Sequence, residues 1–181
     1  MSKYDIRKEL LQTRKNIKNR DILSQDICSS TIKYIEENLS KPKIASFISI
    51  HSEVNTDSIN NHFETYLPII HPHRKHSLWF AKDTKQYYKN KYSICEPHHD
   101  IDDILAAWDF DVIIVPLVGF NSEKYRMGMG GGFYDYSLQF KKKHQFPITI
   151  GLGFNEQQNN AIIINKYDIR LDMVITPTRI L

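Results

Sequence analysis

Cysteine is nearly absent: the 181 residues hold two, Cys28 and Cys95, with no second cysteine near either and no CxxC spacing. That argues against a disulfide scaffold and a zinc knuckle, and two free thiols fit a reducing cytosol. Long hydrophobic runs are missing too. The longest, Val112 to Phe120, contains Pro116 and Gly119 and is less than half as long as a membrane-spanning helix, so it reads as a buried strand. The opening MSKYDIRKELLQTRK alternates charged and apolar residues and has no export-signal core, so a cytoplasmic protein off the membrane is expected. Charge of one sign is scarce: 24 basic and 21 acidic residues leave +3, too small and scattered an excess to indicate nucleic acid or a membrane surface. No Pro/Gly-rich or Ser-rich linker interrupts the 41% hydrophobic, 25% charged chain, which reads as one domain over residues 1–181.

Against that plain background the hydrophobic pattern alternates between helix and strand. Ile6, Leu10 and Ile17 recur at helical spacing over Lys3 to about Lys18, and Leu23, Ile27, Ile35 and Leu39 mark a second helix. Strands are predicted at 43–50, 67–70, 77–81, 111–117, 148–153, 161–164 and 173–176, and helices at 57–66 and 134–144. The polar, Tyr-rich stretch 82–100 fits neither pattern. Asp111 to Leu117 (DVIIVPL) is β-branched without polar alternation, as in a central parallel strand covered on both faces. The expectation is a three-layer α/β/α fold around a mostly parallel sheet. Ligands in such folds bind beyond the carboxyl ends of the strands, which is where the loop after Leu117 must lie.

That loop holds Gly128, Gly130, Gly131 and Gly132, four glycines in five positions just before a predicted helix. Glycines let successive backbone amides curl around one anion, and phosphate is the natural occupant. A flexible or helix-capping loop would explain the glycines alone. Arg126 upstream, a permanent cationic fork, and Asp135 downstream, an oxygen ligand for Mg²⁺, favour phosphate. No Lys-Ser or Lys-Thr follows, so this is not a Walker A loop, and Phe133 breaks the dinucleotide fingerprint.

The segment VPLVGFNSEKYRMGMGGGFYDYSL resembles the signature of the 5-formyltetrahydrofolate cyclo-ligases. Lys3 and Arg7, FISIHSEVNT, LPIIHPH, CEP, GLGF and YDIRLDMVIT resemble further segments of that family, in its order, over nearly the whole chain. The resemblance implies an ATP- and Mg²⁺-dependent closure of 5-formyltetrahydrofolate to 5,10-methenyltetrahydrofolate, with ADP and phosphate released. A formamide is a poor electrophile, so the family phosphorylates its oxygen before N10 attacks. It further implies that Arg126, Met127, Gly128, Met129, Gly130, Gly131, Gly132, Phe133 and Tyr134 form the nucleotide loop, aided by Lys3 and Arg7. Ile48, Glu53 and Met129 to Phe133 would contact folate, Asp135 and Asp172 would hold Mg²⁺, and Arg126, Tyr134 and Glu53 would act at the reacting group. Trp79 and Phe80 could stack on the pterin, although an aromatic pair in a strand is more often core.

At about 100° per residue Lys3, Arg7, Arg14 and Lys18 share an arc of roughly 60°, a basic stripe that could face ATP phosphates. Asn121, Tyr125, Phe133 and Tyr136 replace the family's usual aspartate, small residue, tyrosine and arginine, and Gly131 stands where some members carry lysine; nucleotide affinity is what these departures touch. His71, His73 and His76 have metal-like spacing, but Pro72, Arg74 and Lys75 suit a solvated basic loop. A ligand-sequestering protein without turnover is the main alternative. An RNA-binding module lacks its signatures here, and a monomer is expected.

Overall fold

The computed structural model describes residues 2–181. Six strands form the main sheet: β1 (Ile44–Ala45), β2 (Thr65–Ile70), β3 (Leu78–Lys82), and, beyond a small hairpin of β4 (Tyr87–Lys89) and β5 (Cys95–Pro97), β6 (Val112–Pro116). After a second hairpin of β7 (Gly119–Phe120) and β8 (Arg126–Met127) come β9 (Ile148–Leu152) and β10 (Met173–Ile175). The order is β10-β9-β6-β1-β2-β3, parallel throughout except for β3, which pairs antiparallel with β2. Val112 to Val115 of β6 are completely buried, as a strand covered on both faces must be.

Helices α1 (Lys3–Asn16), α2 (Arg20–Asn38), α3 (Asp57–His62) and α4 (Phe133–Ser137) surround the sheet. Ile27 and Ile35 of α2 and Ile59 of α3 pack with Ile44, Val112, Ile114 and Ile150 on one face. Leu138, Phe110, Leu171 and the half-buried Phe133, Tyr134 and Phe140 pack with Ile113, Val115 and Val174 on the other. The second helical layer is therefore thin, made of α4 and short 3-10 turns at 107–109 and 139–142. Helix α1 stands apart, with Ile6 and Leu10 against Val118 and Met127 at the carboxyl end of β6. Glycine at 119 permits that approach, because a Cβ there would lie 2.5 Å from Leu10 Cδ1.

Several boundaries differ from the sequence reading. The helix predicted over 57–66 ends at His62, because Phe63 turns extended and Thr65 pairs with Ile44 as the start of β2. The helix predicted over 134–144 is only five residues long; its chain breaks where Leu138 inserts into the core and Ser137 Oγ accepts from the Leu78 amide at 2.7 Å. Residues 161–164 form no strand. The Asn159 side chain accepts from the Ala161 amide in a local turn, and only Ile162 is buried there.

Candidate active site

The strand order reverses between β1 and β6: β1 leads to β2 and β3 on one side, while β6 leads to β9 and β10 on the other. A crevice opens beyond the carboxyl ends at such a point. Here it holds a cavity of about 660 Å³. Chain leaving β1 supplies Phe47, Ile48, Ile50 and Glu53; chain leaving β6 supplies Leu117 and Val118. Pro68 and Ile70 of β2 and Leu78 of β3 extend an apolar floor, and Asn90, Tyr92, Ile94 and Glu96 of the β4-β5 hairpin close one side. A hollow of about 710 Å³ near α2 and α3 is lined by Glu36, Lys41, Lys43, His62 and Glu64, charges of both signs with His62 already paired to Glu36. No glycine lines it, whereas Gly128, Gly130, Gly131 and Gly132 line the cavity at the switch point.

Lys3, Arg7, Arg126 and residues 127–135 all line the 660 Å³ cavity. Arg7 Nε donates to the Gly128 carbonyl oxygen at 2.9 Å, which fastens α1 to the glycine loop. Gly130 has φ +101°, a backbone conformation that calls for glycine, while a Cβ there would make only an ordinary 3.5 Å contact with the Arg7 guanidinium carbon. Gly132, φ 69°, starts α4, whose five residues add little dipole. From the far side His76 Nδ1 lies 2.6 Å from the Gly131 carbonyl oxygen, and its ring packs against Phe133.

Arg126 is 6% exposed, pairs with Asp135 at 3.2 Å and lies 5.4 Å over the Tyr134 ring. Its Nε and the Tyr134 hydroxyl are buried without a hydrogen-bond partner. Both residues line the cavity, and unsatisfied polar atoms beside a cavity are what a polar ligand would satisfy. Burial pushes the Tyr134 hydroxyl well above its ordinary range despite the nearby Arg126, so it stays protonated and can donate.

Glu53 Oε2 accepts from the Ile50 amide at 3.0 Å, and Glu53 Oε1 lies 3.7 Å from Arg14 Nη1. Burial pushes its carboxyl up; the Ile50 amide, Arg14 and His51 oppose that rise. Arg14 is not the phosphate-facing cation that the basic stripe suggested. It is 1% exposed and turned into the protein, because the face of α1 that looks free in isolation docks on the chain after β6. Lys18 lies past the end of α1 and does not line the cavity.

Asp172 is also misplaced by the sequence reading. Its Oδ2 accepts from the amide and hydroxyl of Thr149, each at 2.7 Å, and pairs with Lys141 at 2.8 Å, beside the amino end of β9 and away from the cavity. Asp168, four residues earlier in the same segment, lines the cavity and pairs with Lys3 at 2.9 Å. The Ile169 amide donates to Asp135 Oδ1 at 3.3 Å, which draws this segment to the glycine loop. Among the described residues no group of three or more His, Cys, Asp or Glu forms a metal cage; of the cavity carboxylates, Asp135 and Asp168 are the pair that could serve an ion completing its shell with phosphate and water.

Phe80 is core, 1% exposed against Phe110, and Trp79 packs at a tilt against His71, ring centroids 4.2 Å apart, outside the cavity. His71 Nδ1 accepts from the amides of His73 and Arg74, so the three histidines serve their loop and Gly131.

The sequence model of the 5-formyltetrahydrofolate cyclo-ligase family matches residues 1–177. The 5-formyltetrahydrofolate cyclo-ligase of Haemophilus influenzae is 30% identical over 179 residues, covering 93% of this chain and 94% of its own. That of Escherichia coli K12 is 32% identical over 144 residues, covering 76% and 79%. The solution structure of Aquifex aeolicus 5,10-methenyltetrahydrofolate synthetase superposes with a TM-score of 0.81 at 25% identity, covering 99% of this chain and 92% of that one. The fold of the Mycoplasma pneumoniae enzyme matches at a TM-score of 0.74 and 23% identity, covering 98% and 99%. By these matches the chain belongs to the 5-formyltetrahydrofolate cyclo-ligase family and is an enzyme of the ligase class.

Proposed function

We propose that this enzyme uses ATP and Mg²⁺ to close 5-formyltetrahydrofolate into 5,10-methenyltetrahydrofolate, releasing ADP and phosphate. The observation that carries the reading is one cavity with two chemically distinct ends. Lys3, Arg7, Arg126 and the glycine loop form a cationic end, and Ile48, Ile50, Pro68 and Ile70 form an apolar end where Glu53 lies buried. A triphosphate suits the first and a pterin ring the second. The names of the relatives supply the substrate.

In this reading the γ-phosphoryl group passes from ATP to the formyl oxygen. N10 then attacks the formyl carbon and loses its proton, and the oxygen departs with phosphate. Lys3, Arg7, Arg126 and the amides of 128–132 hold the phosphates in place, the positioning on which phosphoryl transfer depends. Asp135 and Asp168 would hold Mg²⁺, which supplies charge neutralisation across the phosphates. To bind phosphate, Arg126 and Lys3 exchange their carboxylate partners for phosphate oxygens, leaving Asp135 and Asp168 to the metal. The protonated Tyr134 hydroxyl donates to the formyl oxygen region, and Glu53 accepts from ring N–H groups of the folate. The cavity is lined by residues of one chain, in keeping with a monomer as the working unit. The cytosol suits its two free thiols, and among the described residues no helix is long and apolar enough to cross a membrane.

The test is absorbance of the methenyl product from purified protein with 5-formyltetrahydrofolate, ATP and Mg²⁺. Product must form, with ADP in equal amount and with loss on chelation restored by Mg²⁺. Binding of both ligands without ADP release would establish the sequestering alternative instead.

A further inference from the structure

Arg14 lies about two turns beyond Arg7 on α1 and is the only cation of that helix that is fully buried, at 1% exposure. Its Nη1 donates to the Leu117 carbonyl oxygen at 3.0 Å and its Nε to Ser52 Oγ at 3.1 Å, while Glu53 Oε1 stands 3.7 Å from Nη1. Arg14 does not itself line the cavity, whereas Leu117 and Glu53 both do. A buried guanidinium is costly, and helix docking alone would be served by an apolar residue. What an arginine adds here is a fork that reaches the chain leaving β1 and the chain leaving β6 at once.

We propose that Arg14 is a positioning residue: it fixes the Glu53 carboxylate toward the folate end of the cavity and ties that end, through α1, to the helix that carries Lys3 and Arg7. The inference rests on the folate reading of the cavity. Four other groups surround the pair. The Ile50 amide and His51 come from the same chain segment as Glu53, Tyr134 reaches toward it from α4, and Arg20 stands behind Arg14. Burial raises the Glu53 carboxyl and Arg14 lowers it. Loss of Arg14 therefore lets Glu53 take up a proton at higher pH than before, so folate binding is lost earlier as pH falls.

The experiment compares wild type with Arg14→Met, Arg14→Lys and Ser52→Ala, each alone and with Glu53→Gln. Arg14→Met should raise the folate KM about tenfold and leave the ATP KM within about twofold, a coupling of ordinary size for contacting residues. The acid limb of kcat/KM for folate should move to higher pH, and Arg14→Lys should recover part of the loss. In the Glu53→Gln background the Arg14→Met change should add little. Should Arg14→Met fail to fold, Arg14→Lys and Ser52→Ala, which loosens the same guanidinium, carry the same cycle with smaller shifts in the same direction. Additive effects, equal rises in both KM values or an unmoved acid limb in an active enzyme would overturn the role of Arg14 alone. A wild type without turnover would overturn the reading of the cavity first.

Discussion

Asp168 and Asp172 stand four residues apart in one segment and do unrelated things. Asp168 pairs with Lys3 on the cavity wall, and Asp172 satisfies Thr149 and Lys141 at the amino end of β9. Asp168→Asn should raise the Mg²⁺ concentration needed for half-maximal rate by an order of magnitude, with little change in melting temperature. Asp172→Asn should do the reverse, costing about 1–3 kcal/mol of stability as a charged acceptor of several bonds is weakened, with an unaltered Mg²⁺ titration. Metal titrations and thermal melts on both variants decide it. Spacing offered no means to choose between them, since both acids flank the same short strand. Arg14 was illegible for a related reason: periodicity groups residues on a helix face but cannot say which part of that face another element covers.

At the scale of elements, the legible ones are those with strong periodicity or a strong chemical reason. Strands β6 and β9 and the start of α1 fall within a residue or two of their predicted places. Helix α1 even begins on a capping box, the Ser2 hydroxyl accepting from the Asp5 amide and the Asp5 carboxylate from the Ser2 amide. The β4-β5 hairpin was invisible because Tyr87, Tyr88 and Lys89 are all exposed and show no alternation; it is held from outside its own pattern. Buried Glu96, 4% exposed, accepts from the Ile70 amide, the Asn90 side chain and the Tyr88 hydroxyl. Glu96→Ala would leave those three donors short of a partner. Melting should show a loss of about 2 kcal/mol or more, and kinetics should show a raised folate KM, because Tyr92 and Ile94 form that side of the cavity. A lower melting point with an unchanged KM would reduce the hairpin to a structural appendage.

Across the whole molecule, the two ends of the cavity depend on how one helix sits. The α/β class and the position of the cavity were readable from the order of elements and the rule that ligands gather where strand order reverses. The docking of α1 was not, since it packs on the β7-β8 hairpin, Ile162 and the turn at 155–157 and not on the main sheet. Gly119 sets the closeness of that docking, with Leu10 Cδ1 and the Gln157 carbonyl oxygen at 2.5 and 2.9 Å from where a Cβ would be. Gly119→Ala should leave a folded protein, its circular dichroism near wild type, in which the requirements for both substrates rise together. This joint rise separates it from changes at either end, which should move one requirement more than the other.

The same close seat makes residue 119 a single point of failure. One methyl group, outside the cavity, would pry away a rod that bears the proposed triphosphate grip near its beginning and the proposed carboxylate anchor three turns along, so that two affinities would be disabled by one displacement.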